Sequence, residues 1–385
     1  MKAKGARLEP GPFFSAHARA VKTIGVACGR GARDIRCEQA PEALCSAKLI
    51  SRMRSRGLAA AWVDTLRPSR HASTDDFKAV HNVCRRLAKR VETILARNKF
   101  PVVIGGDHSC AIGTWKGIAR SLESRGPLGL LWVDAHMDAH TPDTTPSGML
   151  HGMPLACLLG YGDPQLVGLA AGARLQPERV CLVGVRSFEA GEAALLQRLD
   201  VRVFFMAEIE ERGLDTVLSE ALAIVKKGTA GFGLTIDLDV VDPRDAPGVG
   251  TPAPGGIGAN ELISALTRFA REPGLVSAEI VEYNPCRDRY GATASLVVNM
   301  IDALLCGQHA LDLDRLIERE QHHAAHPDAL LPIPLGIDEG RARWTTAPGA
   351  TCGRGSRNAR RRRASRRPGT TRSTAPATVP GRNPA

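Results

Sequence analysis

The stretch LWVDAHMDAH, residues 131–140, runs from an apolar segment directly into two aspartates and two histidines at alternate positions. In an extended chain, alternate side chains lie on the same side, so these four polar groups would share one face. Burying them beside a strand is costly unless something compensates their polarity. The stretch therefore predicts a buried strand that ends at a ligand site.

Apolar runs of strand length recur along the chain and alternate with longer amphipathic segments. The predicted strands are residues 20–28, 59–66, 101–106, 128–135, 179–185, 201–206, 230–240 and 275–283. Helical patterns lie near residues 41–56, 75–99, 111–124, 189–199, 212–227, 258–271 and 290–305. Strands that are apolar on both faces and alternate with helices predict an α/β fold, with a parallel sheet covered by helices on both sides.

Polar side chains follow four of the predicted strands. They are Asp107 and His108 in GGDHS (105–109), Asp134, His136 and Asp138 in DAHMDAH (134–140), Asp237, Asp239 and Asp242 in TIDLDVVDP (235–243), and Glu282 in IVEYNP (280–285). Ligands of parallel sheets gather at the carboxyl ends of the strands, so we expect these groups to meet in one pocket. Taken singly, Asp107 and Asp242 are also typical of ordinary turns.

Histidines and carboxylates in this number can hold two divalent cations. Oxygen-rich ligation with some imidazole favours Mn²⁺ over Zn²⁺. A pair of ions about 3.5–4 Å apart polarises a substrate and lowers the pKa of a bridging water, which gives hydroxide near neutral pH. The DxHxD spacing also suggests a calcium-binding EF-hand loop, but Ala139 and Thr145 stand where that loop needs glycine and glutamate.

The basic character of the chain is concentrated near its end. The formal net charge is +11, and residues 341–385 contain twelve arginines and no lysine or acidic residue, which leaves 11 − 12 = −1 for residues 1–340. This Arg-rich tail lacks apolar periodicity and is predicted to be disordered. It could bind nucleic acid or other polyanions non-specifically, or it is a solvated, dispensable extension.

The sequence predicts a cytoplasmic protein without a membrane span. No run of eighteen or more residues is apolar throughout, and the N-terminal residues lack an apolar segment of signal-peptide length. The ten cysteines form no CxxC pair, so neither a zinc nor a redox motif is visible, and they are interpreted as structural. Several of them, such as Cys28, Cys157 and Cys181, lie in apolar segments, where a buried thiol acts as a small hydrophobe.

Five motifs together resemble the signatures of the arginase (ureohydrolase) family: GGDHS, DAHMDAH, SGMLHGMPLA (147–156), TIDLDVVDP and IVEYNP. The resemblance covers roughly residues 20–305. It implies a three-layer α/β/α domain with an eight-stranded parallel sheet, two Mn²⁺ per subunit, and assembly into trimers or hexamers. The chain would then consist of a flexible segment (1–19), an arginase-like catalytic domain (20–310), an atypical extension (311–340) and the Arg-rich tail (341–385).

The resemblance implies a role for each motif residue. One manganese would be held by His108, Asp134, Asp138 and Asp237, and the other by His136, Asp134, Asp237 and Asp239. His151 matches the acid/base histidine of the family, and Glu282 matches the carboxylate that pairs with the planar guanidinium of the substrate. In this mechanism a metal-bridging hydroxide attacks the guanidinium carbon and Asp138 accepts its hydrogen bond. His151 then passes a proton as the intermediate collapses to amine and urea.

The positions that would hold the far end of the substrate depart from the family pattern. Arginases bind the α-amino and α-carboxylate groups with an Asn two residues past DAHxD and with the Ser and Asn of an SGN segment. Here these positions are His140, Ser147 and Met149, and methionine cannot usefully bind a carboxylate. Glu189 aligns with an acidic residue that meets the α-amino group in arginases, and Thr251 also follows the family pattern, whereas a nearby aspartate has become Ser187.

Arginine is the predicted substrate because the segment TTPSGMLHGMPLA keeps the Ser-Gly step that is typical of arginases and that agmatinases usually lack. Agmatine, guanidinobutyrate or another guanidino acid is the alternative, and His140 is equally well interpreted as a rim residue without ligand contact. A non-enzymatic protein that binds polyanions through residues 341–385 is an alternative of another class, although it would need no metal ligands. Deleting the tail should preserve ureohydrolase activity and abolish tail-driven binding.

Overall fold

The structure, a computed structural model, describes residues 19–69 and 74–306. Each of the eight predicted strands is present there. They are β1 (Val21–Val26), β2 (Ala60–Leu66), β3 (Phe100–Ile104), β4 (Leu128–Val133), β5 (Val180–Val185), β6 (Arg202–Phe205), β7 (Gly231–Asp237) and β8 (Leu275–Val281).

All eight strands pair in parallel and form one sheet in the order β2-β1-β3-β8-β7-β4-β5-β6. Every residue of β3, β4, β5, β7 and β8 is buried, whereas the edge strands β2 and β6 are partly exposed. Strands covered on both faces must be apolar on both faces, which is the pattern that predicted them. The parallel α/β fold is confirmed.

Helices connect the strands and cover both faces of the sheet. Within the described ranges they are α1 (Ala40–Ser46), α2 (Leu49–Ser55), α3 (Asp76–Ala96), α4 (Ala111–Leu122), α5 (Pro154–Leu159), α6 (Pro164–Val167), α7 (Ala190–Arg198), α8 (Met206–Arg212), α9 (Leu214–Lys226), α10 (Ala259–Leu266) and α11 (Ala292–Cys306). None of these helices is both long and apolar enough to cross a membrane.

Two hydrophobic clusters form the core, one on each face of the sheet. Strand β4 contributes to both, because Leu131 and Val133 belong to one cluster and Leu130 and Trp132 to the other. Helices α1, α2 and α8–α11 pack into the first cluster, and α3–α7 pack into the second. The three-layer arrangement follows from this alternation.

Several helical segments differ from their predicted limits. The pattern over 41–56 is divided because Lys48 adopts a left-handed conformation (φ 60°) between α1 and α2. The pattern over 212–227 begins after Gly213 (φ 81°), and residues 206–212 form a separate helix, α8. Helix α10 spans Ala259–Leu266 and so ends five residues before the predicted limit at residue 271. Helices α5 and α6 lie outside every predicted helical segment.

Most of the predicted terminal segments lie outside the described residues. These are residues 1–18 of the N-terminal segment, the extension 311–340 and the Arg-rich tail 341–385. The domain predicted over 20–310 is described up to residue 306, with a gap at 70–73.

Candidate metal centre and substrate pocket

The four strands whose ends carry polar motifs are neighbours at the centre of the sheet. Their order is β3-β8-β7-β4, so the loops after them meet at one edge. His108 follows β3, Glu282 follows β8, Asp237 ends β7, and Asp134 follows β4. The sheet order therefore brings the predicted residues together.

His108 lies at the centre of one group of carboxylates. Its Nδ1 atom is 2.9 Å from Asp138 Oδ2, 3.2 Å from Asp134 Oδ2 and 3.2 Å from Asp237 Oδ2. All four side chains are buried. These are the residues predicted to hold one of the two ions.

His136 lies in a second group that shares Asp134 with the first. Its Nδ1 atom is 3.1 Å from Asp239 Oδ2 and 3.6 Å from Asp134 Oδ1. Asp237 is linked to this group because its Oδ1 accepts a hydrogen bond from the Asp239 backbone N–H at 2.9 Å. Three of the four residues predicted for the second ion, Asp134, His136 and Asp239, lie together here, and Asp134 belongs to both groups.

A buried network holds the ring of His108. Its Nε2 atom is 3.2 Å from the Thr235 hydroxyl, which donates to Glu279 Oε2 at 2.9 Å. The ring also stacks on Trp132, with centroids 4.3 Å apart, and the Trp132 indole N–H donates to Asp134 Oδ2 at 2.8 Å. Fixing the ring on its Nε2 side leaves Nδ1 directed at the carboxylates.

The donor atoms fit a pair of divalent cations. His108 Nδ1 is buried and makes no hydrogen bond within the described residues, although three carboxylate oxygens surround it. Burial, followed by the charges of Asp239 and Asp134, raises the pKa of Asp237 well above its usual range. Burial and then Asp134 raise the pKa of Asp138 to about 6. Buried carboxylates that repel one another around an unsatisfied imidazole are relieved by bound cations.

His151 and Glu282 form a pair beside this centre. Glu282 Oε1 lies 3.1 Å from His151 Nδ1 and accepts a hydrogen bond from the His108 backbone N–H at 2.9 Å. Glu282 Oε2 is buried and accepts no hydrogen bond from any described residue. Burial lowers the pKa of His151, but the hydrogen bond to Glu282 and the negative charges of Glu282, Asp138 and Asp107 together outweigh it, and the pKa rises to about 9. The pair thus offers a protonated imidazole and one unpaired carboxylate oxygen.

The metal-ligand groups and the His151–Glu282 pair open into one cavity of about 540 Å³. The residues predicted to contact the far end of the substrate all line it: His140, Ser147, Glu189 and Thr251. His140 Nε2 is 3.0 Å from Glu189 Oε2, and its Nδ1 is 3.2 Å from the Thr144 hydroxyl. His140 is therefore already bonded on both ring nitrogens.

Glu192 is a pocket residue that the sequence analysis missed. It is buried, lies 3.8 Å from His140 Nε2, and accepts hydrogen bonds from the Glu189 and Ala139 backbone N–H groups. Burial raises its pKa to about 8. Its position three residues after Glu189, at the start of α7, is the spacing of a helix capping box and was visible in the sequence.

Asp107 and Asp242 stabilise loops. Asp107 accepts hydrogen bonds from the backbone N–H groups of Gly31 and Ser109. Asp242 pairs with Arg244 at 2.8 Å and caps the Gly255 N–H. Both residues therefore act as turn residues, whose carboxylates accept hydrogen bonds from nearby backbone N–H groups.

The arginase family model matches residues 19–307, which include every site residue described above. The chain is 42% identical over 230 residues to an arginase from Bacillus caldovelox, covering 60% of this chain and 76% of that protein. It is 37% identical over 288 residues to an arginase from Brevibacillus brevis, covering 73% and 96%. The crystal structure of arginase from Bacillus cereus superposes with a TM-score of 0.68 at 36% identity, over 74% of this chain and 98% of that one.

Proposed function

The chain belongs to the arginase family of ureohydrolases, and we propose that it hydrolyses the guanidinium group of L-arginine to L-ornithine and urea, using two Mn²⁺ ions per subunit. Hydrolysis of carbon–nitrogen bonds other than peptide bonds is common to the family. The choice of arginine and of manganese is our proposal for this chain. It is supported by the donor set and by the pocket described above.

The observation that carries the proposal is the unpaired oxygen of Glu282. Its Oε1 is held by His108 and His151, while Oε2 is buried in the cavity wall without a partner among the described residues. A buried carboxylate oxygen without a donor is costly. A guanidinium presents N–H groups in a planar fork that suits it, so this atom supports a guanidino substrate.

Six residues would hold the two metal ions. His108, Asp134, Asp138 and Asp237 would bind one ion, and His136, Asp134, Asp237 and Asp239 the other. When bound, the ion pair supplies a hydroxide near neutral pH and polarises the substrate.

The chain's own groups then position the substrate and move protons. Glu282 orients the guanidinium, and Asp138 accepts a hydrogen bond from the attacking oxygen. His151 donates a proton to the amine nitrogen as the carbon–nitrogen bond breaks. The products are ornithine and urea, and the histidine regains its proton from solvent.

Urea release from the Mn²⁺-loaded full chain tests the substrate. We expect kcat/KM to be highest for arginine among arginine, agmatine and guanidinobutyrate. Agmatine preferred over arginine would replace the proposed substrate, since Glu189 and Glu192 could equally hold its terminal amine. Urea release from none of the three would overturn the proposal.

The variant Glu282→Gln tests whether the unpaired Glu282 carboxylate oxygen binds the guanidinium of the substrate. The amide keeps the shape of the side chain but loses the charge, so we expect kcat/KM for arginine to fall about a hundredfold or more. Glu261→Gln, an exposed position in the first turn of α10, is the matched control and should leave kcat/KM unchanged. Equal activity of Glu282→Gln and the control would remove the assigned role.

Assembly and location are proposed from family membership alone. We expect a homotrimer or homohexamer in the cytoplasm, with nucleic acid bound, if at all, only through residues 341–385. Sedimentation of the full chain, with and without nucleic acid, measures both the subunit number and any such binding.

A further inference from the structure

Two arginines line the pocket, and only one of them has a partner among the described residues. Arg287 lies 3.3 Å from Asp34 Oδ2 and donates to the Val249 carbonyl at 3.4 Å. Arg33 is exposed, and no hydrogen bond or ion pair joins its guanidinium to any residue in 19–69 or 74–306. The adjacent Asp34 is already taken by Arg36 and by Asn284. Arg33 is therefore a cation in the pocket wall that is available to a ligand.

The loop that carries Arg33 is fixed to the centre of the site. The Gly31 N–H donates to Asp107 Oδ2 at 2.8 Å, and the Gly31 carbonyl accepts from the His151 N–H at 3.1 Å. A Cβ at Gly31 would lie 2.5 Å from Asp107 Oδ1, so this close approach requires glycine. Arg33 follows two residues later and is thus held near the segment that carries Met149 and His151.

The polar groups of the wall suit a ligand with two opposite charges. Glu189 and Glu192 supply carboxylates for an ammonium group. Met149 offers no side-chain donor, and the Ser147 hydroxyl already accepts the Met149 N–H at 3.2 Å. The other possible partners in this wall, the Arg287 guanidinium and the His140 ring, already contact acidic groups. A carboxylate entering the pocket would find its unpaired partner in Arg33.

We propose that Arg33 binds the carboxylate of the amino-acid end of the substrate and so selects guanidino compounds that carry a carboxylate over guanidinoalkylamines. This inference rests on the proposed function, because it concerns the same pocket. The guanidinium fork of Arg33 can form two hydrogen bonds with the carboxylate. The residue binds the substrate and takes no part in bond cleavage.

Binding of L-ornithine and of putrescine to the Mn²⁺-loaded full chain tests the proposal, because these amines differ only in the carboxylate. Titration calorimetry of Arg33→Ala should show ornithine binding about tenfold more weakly than to the unaltered chain, with putrescine unchanged, as expected for losing a hydrogen bond between charged groups. Arg33→Lys keeps the charge without the fork and should recover part of the loss. Arg30→Ala is the matched control: it removes an arginine of the same loop that pairs with Asp76 outside the pocket wall.

Steady-state kinetics provide a second measurement. Arg33→Ala should raise KM for arginine about tenfold with kcat nearly unchanged, because the contact is made equally in ground and transition states. Loss of affinity for both amines alike, or for neither, would overturn the proposal. A chain that releases no urea from arginine but still loses ornithine binding in Arg33→Ala would reject the proposed function and keep this inference.

Discussion

Two site carboxylates lie on backbone that residues other than glycine rarely adopt. Asp138 has φ 49° and Glu282 has φ 65°. Such conformations cost of the order of 1–3 kcal/mol each and persist only where neighbouring contacts enforce them. The Leu155 N–H bonds to the Asp138 carbonyl at 2.9 Å, and the Glu282 N–H bonds to the Gly106 carbonyl at 2.8 Å. The strain aims both side chains into the pocket.

The pairing of His151 with Glu282 predicts a pH-dependent contribution to stability. The pKa of His151 rises from 6.5 to about 9 in the folded chain. A raised folded-state pKa gives stability that is fully present below pH 6.5 and is lost as the pH rises through about 9. The nearby charges of Asp138 and Asp107 act in the same direction as Glu282.

His151→Asn should therefore be less stable than the unaltered chain at about pH 6, by about 2 kcal/mol, and nearly equal to it at about pH 10. Melting temperatures of chelator-treated protein measure this difference, since bound cations would alter the histidine pKa. A gap between the two proteins that stays constant across this range would contradict the assigned contact.

Among the elements, strands were easier to predict than helices. The inner strands are buried on both faces, so each appears as an apolar run. The short helices α5, α6 and α8 span too few residues to show a helical period. The division at Lys48 depends on a left-handed residue that is neither glycine nor asparagine, so no local signal marks it.

Helix α4 carries a buried lysine that ties down a neighbouring loop. Lys116 is fully buried, and its Nζ donates to the carbonyls of Val167 at 2.9 Å and Ala173 at 2.8 Å. Between these carbonyls, Ala170 and Ala171 both have positive φ, so the loop needs external support. Burial lowers the pKa of Lys116 to about 8.

Lys116→Met keeps the length of the side chain but leaves both carbonyls without their donor. We expect the free energy of unfolding to fall by about 2–3 kcal/mol, measured by chemical denaturation. Lys89→Met, an exposed position of α3, should change it by no more than about 0.5 kcal/mol. If the two variants were equally stable, the lysine would not anchor the loop.

At the scale of the whole molecule, the site is a consequence of strand order. Each proposed metal ligand stands in a motif beside the end of its own strand, so the sequence pointed to it. The adjacency β3-β8-β7-β4 could not be read from the sequence, since strands far apart in the chain become neighbours. Arg33 was missed for the same reason. Its loop follows β1, which does not pair with β4. In the folded chain this loop nevertheless contacts the loop after β4, where the His151 N–H bonds to the Gly31 carbonyl.

The number of metal ions bound per chain tests the central claim most directly. After Mn²⁺ loading and removal of free metal, elemental analysis should find two ions in the unaltered chain. Asp237→Asn, which alters a ligand predicted for both ions, should retain one or none. A count of zero or one in the unaltered chain, or an unchanged count in the variant, would contradict a dinuclear centre built from these strand ends.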